Sequence, residues 1–264
     1  MITLEDIHLT YNPSTAAENH VLNGLNLHME SGEFATLIGG NGAGKTSIMN
    51  VLGGFVCPDS GRILIGDEDV TADPAWKRAS RVARVFQSTA DGICMKLSVE
   101  QNMALAYRRG SRPSIFRPAV TRKMRRLIVE KLESLGLGLE KRLGDQMGQL
   151  SGGQHQAIGL LMAAMQSSEL LLLDEHTSAL DPVTADSIME LTSKIVSEKK
   201  LTTLMITHSM RQALRYGTRV IMLHRGQIVL DFSGQEKAKL RVSDLLKIFE
   251  ETSGEEADSA LVLN

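Results

Sequence analysis

The stretch Phe34-Ala35-Thr36-Leu37-Ile38 runs without a break into Gly39-Gly40-Asn41-Gly42-Ala43-Gly44-Lys45-Thr46, with Ser47 next in line. The first five residues read as a short apolar strand, and Lys45 to Leu52 has helical spacing that Gly53-Gly54 stops. The eight residues between satisfy the phosphate-loop pattern in the context it requires, after a strand and opening a helix. Glycines let the backbone curl so that successive N–H groups converge on phosphate oxygens. The start of the following helix adds the positive end of its dipole. In that frame Lys45 reaches the β- and γ-phosphates of a nucleotide and the Thr46 hydroxyl ligates Mg²⁺.

The surroundings alternate between strands and helices. Upstream, Ile2, Leu4, Ile7 and Leu9, then Val21, Leu25, Leu27 and Met29, mark two half-buried strands separated by the polar loop Asn12 to His20. Downstream, Arg62 to Ile65 and Val82 to Phe86 read as strands. Ser98 with Gln101 three residues on forms a capping box, and Met124, Leu127, Ile128, Leu132 and Leu135 follow helical spacing up to Gly136. Leu170 to Leu173 reads as a fully buried strand, and Pro182 stands at the first turn of a helix. Thr203 to Ile206, Val220 to Leu223 and Ile228 to Phe232 complete a late set of strands. This order predicts an α/β fold with a mainly parallel sheet.

Composition narrows the function classes. The 264 residues are 42% hydrophobic and 23% charged, enough for a sizeable core, and no apolar run approaches a membrane span. Cys57 and Cys94 supply neither a disulfide framework nor a zinc site. With no signal-like N-terminus, the expectation is a soluble protein of a reducing cytosol. The formal charge of −2 hides an asymmetry. Eight Lys or Arg and no acid lie between Arg108 and Arg126, and five acids and no base between Glu250 and Asp258. The basic block reads as a solvated face or as a surface drawn to a membrane or partner loop.

Two further stretches carry chemistry. Leu170 to Leu173 ends in Asp174-Glu175, and ligands in open α/β sheets bind at the carboxyl ends of strands. Asp174 is therefore read as the acid that holds Mg²⁺ and Glu175 as the one that orients the attacking water. Leu150-Ser151-Gly152-Gly153-Gln154 reads as a second phosphate-binding helix start and equally as a capping box. One γ-phosphate has no need of two such cradles from a single chain, so the second is expected to serve another chain's nucleotide.

Together these residues resemble the ATP-binding subunit of an ABC transporter, over about Met1 to Phe232. Seven motifs stand in the family's order: Tyr11, Gly39 to Thr46, Gln87, Leu150 to Gln154, Asp174-Glu175, Ser178 to Asp181, and His208. The resemblance implies a P-loop core, an N-terminal antiparallel β-subdomain and an inserted helical subdomain at about 89–165. The nucleotide-binding domain then spans 1–240, and 241–264 forms a short helix and an acidic tail.

It further implies that Tyr11 stacks on adenine and that Gln87 joins Mg²⁺ and the attacking water to the membrane partner. His208 would contact the γ-phosphate, and Asp181 would link two active sites. Two copies would form a head-to-tail homodimer, with Ser151, Gly153 and Gln154 of one completing the ATP site of the other. Integral-membrane permease subunits, an extracytoplasmic solute-binding protein and a seat on the cytoplasmic face of the membrane complete the expected system, with a small organic solute such as an amino acid as cargo. Exporter cassettes share these motifs. Chromosome-type relatives insert a long coiled coil, whereas 105 residues without sustained heptads separate Lys45 from Ser151. No nucleic-acid partner is expected. Two positions depart from the family pattern: His176 stands where proline usually follows the catalytic glutamate, and His155 replaces the commoner arginine. His176 restores an N–H and adds a titratable ring.

Overall fold

The computed structural model describes residues 1–111 and 120–253. Strands β1 (Ile2–Tyr11) and β2 (Asn19–Met29) open the chain, β3 (Phe34–Ile38) enters the phosphate loop and α1 (Lys45–Gly53) leaves it. Then come β4 (Ser60–Ile65), β5 (Glu68–Asp69), α2 (Ala75–Arg78) and β6 (Val82–Val85). Four helices follow: α3 (Thr89–Gly92), α4 (Val99–Tyr107), α5 (Arg122–Glu133) and α6 (Gly152–Ala164). The chain returns through β7 (Leu170–Asp174), α7 (Pro182–Lys199), β8 (Thr203–Ile206), α8 (Met210–Arg215) and β9 (Arg219–His224). It finishes with β10 (Gln227–Ser233), α9 (Gly234–Lys239) and α10 (Val242–Ser253).

Two sheets result. One is antiparallel, in the order β2-β1-β4-β5. The other runs β10-β9-β3-β8-β7-β6, parallel from β9 to β6 with β10 antiparallel at one edge. Every residue of β3 and of β7 is buried, which is why both read as unbroken apolar runs. Helix α1 packs between the sheets, bringing Ile48, Met49, Val51 and Leu52 into one core with Ile2, Leu4, Leu37 and Leu172.

The alternating pattern of the first two strands shifts phase for a local reason. Asp6 adopts φ 49° and the β1–β2 register slips between Leu4 and Ile7, so the inward set moves from even to odd positions. On β2, Gly24 at φ 66° sits opposite this irregularity. Leu22 is consequently buried, while Val21, expected to point inward, is only half-buried.

Helices α4, α5 and α6 gather Val99, Met103, Ile128, Leu132, Ile158 and Leu161 into a cluster of their own. Both expected capping boxes form, Ser98 with Gln101 and Ser151 with Gln154. Of the basic block, Arg112 and Arg117 lie outside the described residues, as does the tail beyond Ser253. Arg109 departs from the solvated-face reading: it is half-buried, bonds Ser168 Oγ at 2.8 Å and lines a groove described below. At the other end of the chain, α10 packs Leu245 and Phe249 onto Ile38, Met210 and Met222. Burying two such side chains contributes about 1.5–3 kcal/mol each.

Candidate active site

The phosphate loop is built by close approach. A side chain at Gly39 would run into the Leu223 carbonyl oxygen, and one at Gly44 (φ 105°) would come within 2.9 Å of the Val21 carbonyl. The β9–β10 hairpin braces the loop from outside, with Gly226 N–H donating to the Ala43 carbonyl at 2.9 Å. Helix α1 begins at Gly44 without a side-chain cap, whereas Ser98, Thr121, Ser151, Asp181 and Ser209 cap α4 to α8. Its first amides are therefore left for an anion. At the far end of α1, the buried Arg78 guanidinium donates to the Val51 and Leu52 carbonyls at 2.6 and 3.0 Å, anchoring the helix against its dipole.

Lys45 is 7% exposed, and its Nζ donates to the Gly39 and Gly40 carbonyls at 2.8 and 2.9 Å. Burial lowers its pKa, opposed by the nearby charges of Glu175 and Asp174. These three groups thus share one electrostatic environment. Thr46 is exposed and Ser47 buried, both on the first turn of α1.

The acids lie at the end of β7, one strand beyond β8, which pairs with β3. Glu175 holds φ 45°, a left-handed conformation that is costly for a non-glycine residue and recurs at functional sites. Its Oε1 is 2.6 Å from His208 Nε2, with the carboxylate side chain 10% exposed and the imidazole 34%. Both line a cavity of about 750 Å³ together with Gly39, Gly40, Asn41, Gly42 and Ala43. A carboxylate and an imidazole in contact beside an anion-binding loop can orient a water and steady its proton. Asp174 is paired instead with Arg84, Nη2 to Oδ2 at 2.5 Å. The oxygen donors Thr46 and Asp174 suit Mg²⁺ that arrives on phosphate, the usual mode for that ion.

The remaining candidates lie apart. Tyr11 ends β1 and packs on the main core rather than lining this cavity. Gln87 follows β6 with an exposed side chain and lines neither cavity described here. Ser151 is exposed, and its capping pair with Gln154 starts α6 away from the phosphate loop. Gly153 packs so tightly that a Cβ there would lie 2.5 Å from Thr184 Cγ2. Asp181 caps α7 by accepting from Thr184 N–H at 3.0 Å, and hydrogen bonds from Thr184 lower its pKa.

Four contributors carry no motif signal. Phe249 of α10 reaches the cavity, and a Cβ on Gly40 would lie 3.5 Å from its ring. His224 and Arg225 enter from the β9–β10 hairpin. Arg84 contacts Asp174. The sequence offered only an apolar face on α10 and an arginine inside a strand. The two departures from the family pattern are also accounted for locally. His155 donates to the Met147 carbonyl at 2.5 Å. The His176 ring is 2% exposed and bonds Thr192 Oγ1 at 3.0 Å.

An uncapped glycine loop over a buried lysine, with two acids ending a strand two places away in the same sheet, defines a P-loop ATPase. Residues 22–178 match the ABC transporter family, and the chain belongs to it. The tyrosine transport ATP-binding protein of Clostridioides difficile is 38% identical over 250 residues, covering 95% of this chain and 99% of its own length. The thiamine import ATP-binding protein ThiQ of Yersinia pseudotuberculosis is 32% identical, covering 90% and 92%. Among solved structures, the dimeric post-hydrolysis state of the ATP-binding cassette MJ0796 bound to ADP and Pi superposes with a TM-score of 0.75 at 27% identity, covering 88% of this chain and 98% of that one. The protein is an ATP-binding and hydrolysing transporter subunit.

Proposed function

We propose that this chain energises import of an amino acid or similar small organic solute, working at the cytoplasmic face of the membrane with separate permease subunits. The cargo class is supported by the 38% identical relative named for tyrosine transport. Thiamine and methionine import subunits among the other relatives support the inward direction. A solute-binding protein outside the membrane would deliver the cargo. The nucleotide-binding domain is taken as 1–240, with its helical part at about 89–165 and a C-terminal extension at 241–264.

In this reading the loop amides from Gly39 to Thr46, Lys45 and Ser47 hold the phosphates, and Tyr11 stacks on adenine. Thr46, Asp174 and Gln87 hold Mg²⁺, which neutralises phosphate charge when bound. Glu175 orients the attacking water and His208, in contact with it, steadies the γ-phosphate side. The observation that carries the reading is the separation of the two cradles. Ser151, Gly153 and Gln154 form the start of a helix, exposed at Ser151, outside the cavity that holds Glu175 and His208. A second copy, head to tail, brings them to the phosphate, and Asp181 then lies between the two sites.

The permease is expected on a groove of about 660 Å³ floored by Val85, Phe86 and Gly159. Two of its lining residues, Phe55 and Leu105, are large apolar side chains left 55% and 56% exposed. Such a patch marks an interaction surface.

The test is ATP-dependent association of Glu175→Gln protein, followed by sedimentation. A dimer at saturating ATP is expected. A protein that stays monomeric at high concentration would overturn the composite site. Uptake of labelled tyrosine in cells lacking this gene tests the cargo, with unchanged uptake removing it.

A further inference from the structure

Arg84 belongs to none of the seven motifs, yet it touches the acid assigned to the metal. It stands on β6 opposite Leu172 of β7 in parallel register. Its Nη2 donates to Asp174 Oδ2 at 2.5 Å and its Nη1 to Asn50 Oδ1 at 2.8 Å. Asn50 lies on α1, so one guanidinium ties the phosphate-loop helix to the metal-side acid. The guanidinium carbon lies 4.7 Å from the Phe86 ring centroid and 5.5 Å from that of Phe55. Those two rings meet edge to face at 6.2 Å. The Arg84 and Asp174 side chains are 8% and 9% exposed. Among the described residues the buried Arg84 Nε has no partner.

A carboxylate at this depth is costly unless a cation answers it. Among the described residues two cations bear on Asp174. One is Arg84. The other is Lys45, which already feels the charge of Asp174. Lys45 nonetheless rests on the Gly39 and Gly40 carbonyls, inside the loop where a phosphate arrives. The Arg84 pair commits one oxygen of Asp174 to a fixed donor, leaving the other for the water shell of the metal. The two phenylalanines, packed against the guanidinium, restrict its rotamer.

We propose that Arg84 is the positioning residue of the metal site: it pins Asp174 in one orientation, keeps that acid from capturing Lys45, and thereby sets the affinity for the divalent ion on bound nucleotide. The proposal rests on the reading of Asp174 as the metal-side acid. Partners that orient a metal ligand are worth roughly 10–100-fold in metal affinity.

The experiment titrates Mn²⁺, by its electron paramagnetic resonance signal, into protein saturated with a non-hydrolysable ATP analogue. Arg84→Met keeps an apolar stem between the rings and removes every donor. It is expected to bind Mn²⁺ about tenfold or more weakly. The same variant should also bind ATP more weakly in excess EDTA, because Asp174 then competes for Lys45. Arg84→Lys restores charge and one donor, and should recover Mn²⁺ affinity to within about threefold of wild type. Wild-type Mn²⁺ affinity in Arg84→Met, or equal weakness in the Met and Lys variants, would overturn the proposal. If Arg84→Met does not fold, Asn50→Ala loosens the same guanidinium without changing charge. A weakening of about threefold is then expected, and unchanged affinity would overturn the idea. Wild-type protein that gives no nucleotide-dependent Mn²⁺ signal would instead overturn the assignment of Asp174.

Discussion

Acidification should remove a defined share of the stability through one residue, His176. Its ring Nε2 lies 3.0 Å from Thr192 Oγ1, whose own proton goes to the Ile188 carbonyl at 2.8 Å. The hydroxyl is therefore the acceptor, and Nε2–H the donor. Burial among apolar groups disfavours the charged ring and pushes its pKa from 6.5 down to about 4. Between those two values the unfolded chain binds a proton that the native one refuses, so stability rises with pH across that window. The contribution is fully present above about 6.5 and is lost as pH falls toward 4. At about 1.36 kcal/mol per unit, the loss between pH 7 and pH 4.5 amounts to about 2.5 kcal/mol. Urea denaturation of wild type and His176→Asn at several pH values reads it directly. Asparagine keeps a donor for Thr192 but takes no proton, and the other acids titrate in both proteins. The stability gap between the two should narrow by about 2.5 kcal/mol from pH 7 to 4.5. A constant gap would refute the buried neutral ring.

Other outcomes follow from the same geometry. Lys45→Ala removes a charge-assisted contact to phosphate and should weaken ATP binding roughly 10–100-fold by equilibrium dialysis. Unchanged affinity would move the phosphate site elsewhere. Glu175→Gln should bind ATP normally while turnover falls about a hundredfold or more, the usual worth of a positioned base. Wild-type turnover would pass the role to His208. Gly153→Ala places a methyl 2.5 Å from Thr184 Cγ2 and should cost about 1–3 kcal/mol of stability in a melting experiment. Thr184→Ser, which deletes that methyl, should restore most of it in the double variant. Additive losses would show that the contact is not the cause.

Much of the site was legible because it is local in the chain. The phosphate loop needs a strand, a glycine turn and a helix within about twenty residues, and each announces itself by composition. The capping boxes at Ser98 and Ser151 span three positions and formed as read. The continuous run Leu170 to Leu173 predicted a strand buried on both faces, and all four residues are 0% exposed. The acids that follow it reach the loop because a parallel sheet aligns its carboxyl ends.

Other features depended on contacts distant in sequence. No periodicity reveals that Asp6 bulges β1 and exchanges Val21 for Leu22 as the inward residue, since a bulge is a property of two paired strands. An arginine in β6 reads as an edge or surface residue until β7 sets Asp174 beside it, 90 positions later. Phe249 reads as one apolar residue of an amphipathic helix until α10 folds back over Gly40. His176 reads in the sequence as a titratable ring; its burial against Thr192 keeps it neutral. Residue type and spacing thus determined which chemistry this chain carries, because those patterns act through adjacent backbone. Tertiary packing alone decided which charge answers which. Desolvation and pairing depend on what lies within a few ångströms in space, whatever its distance along the chain.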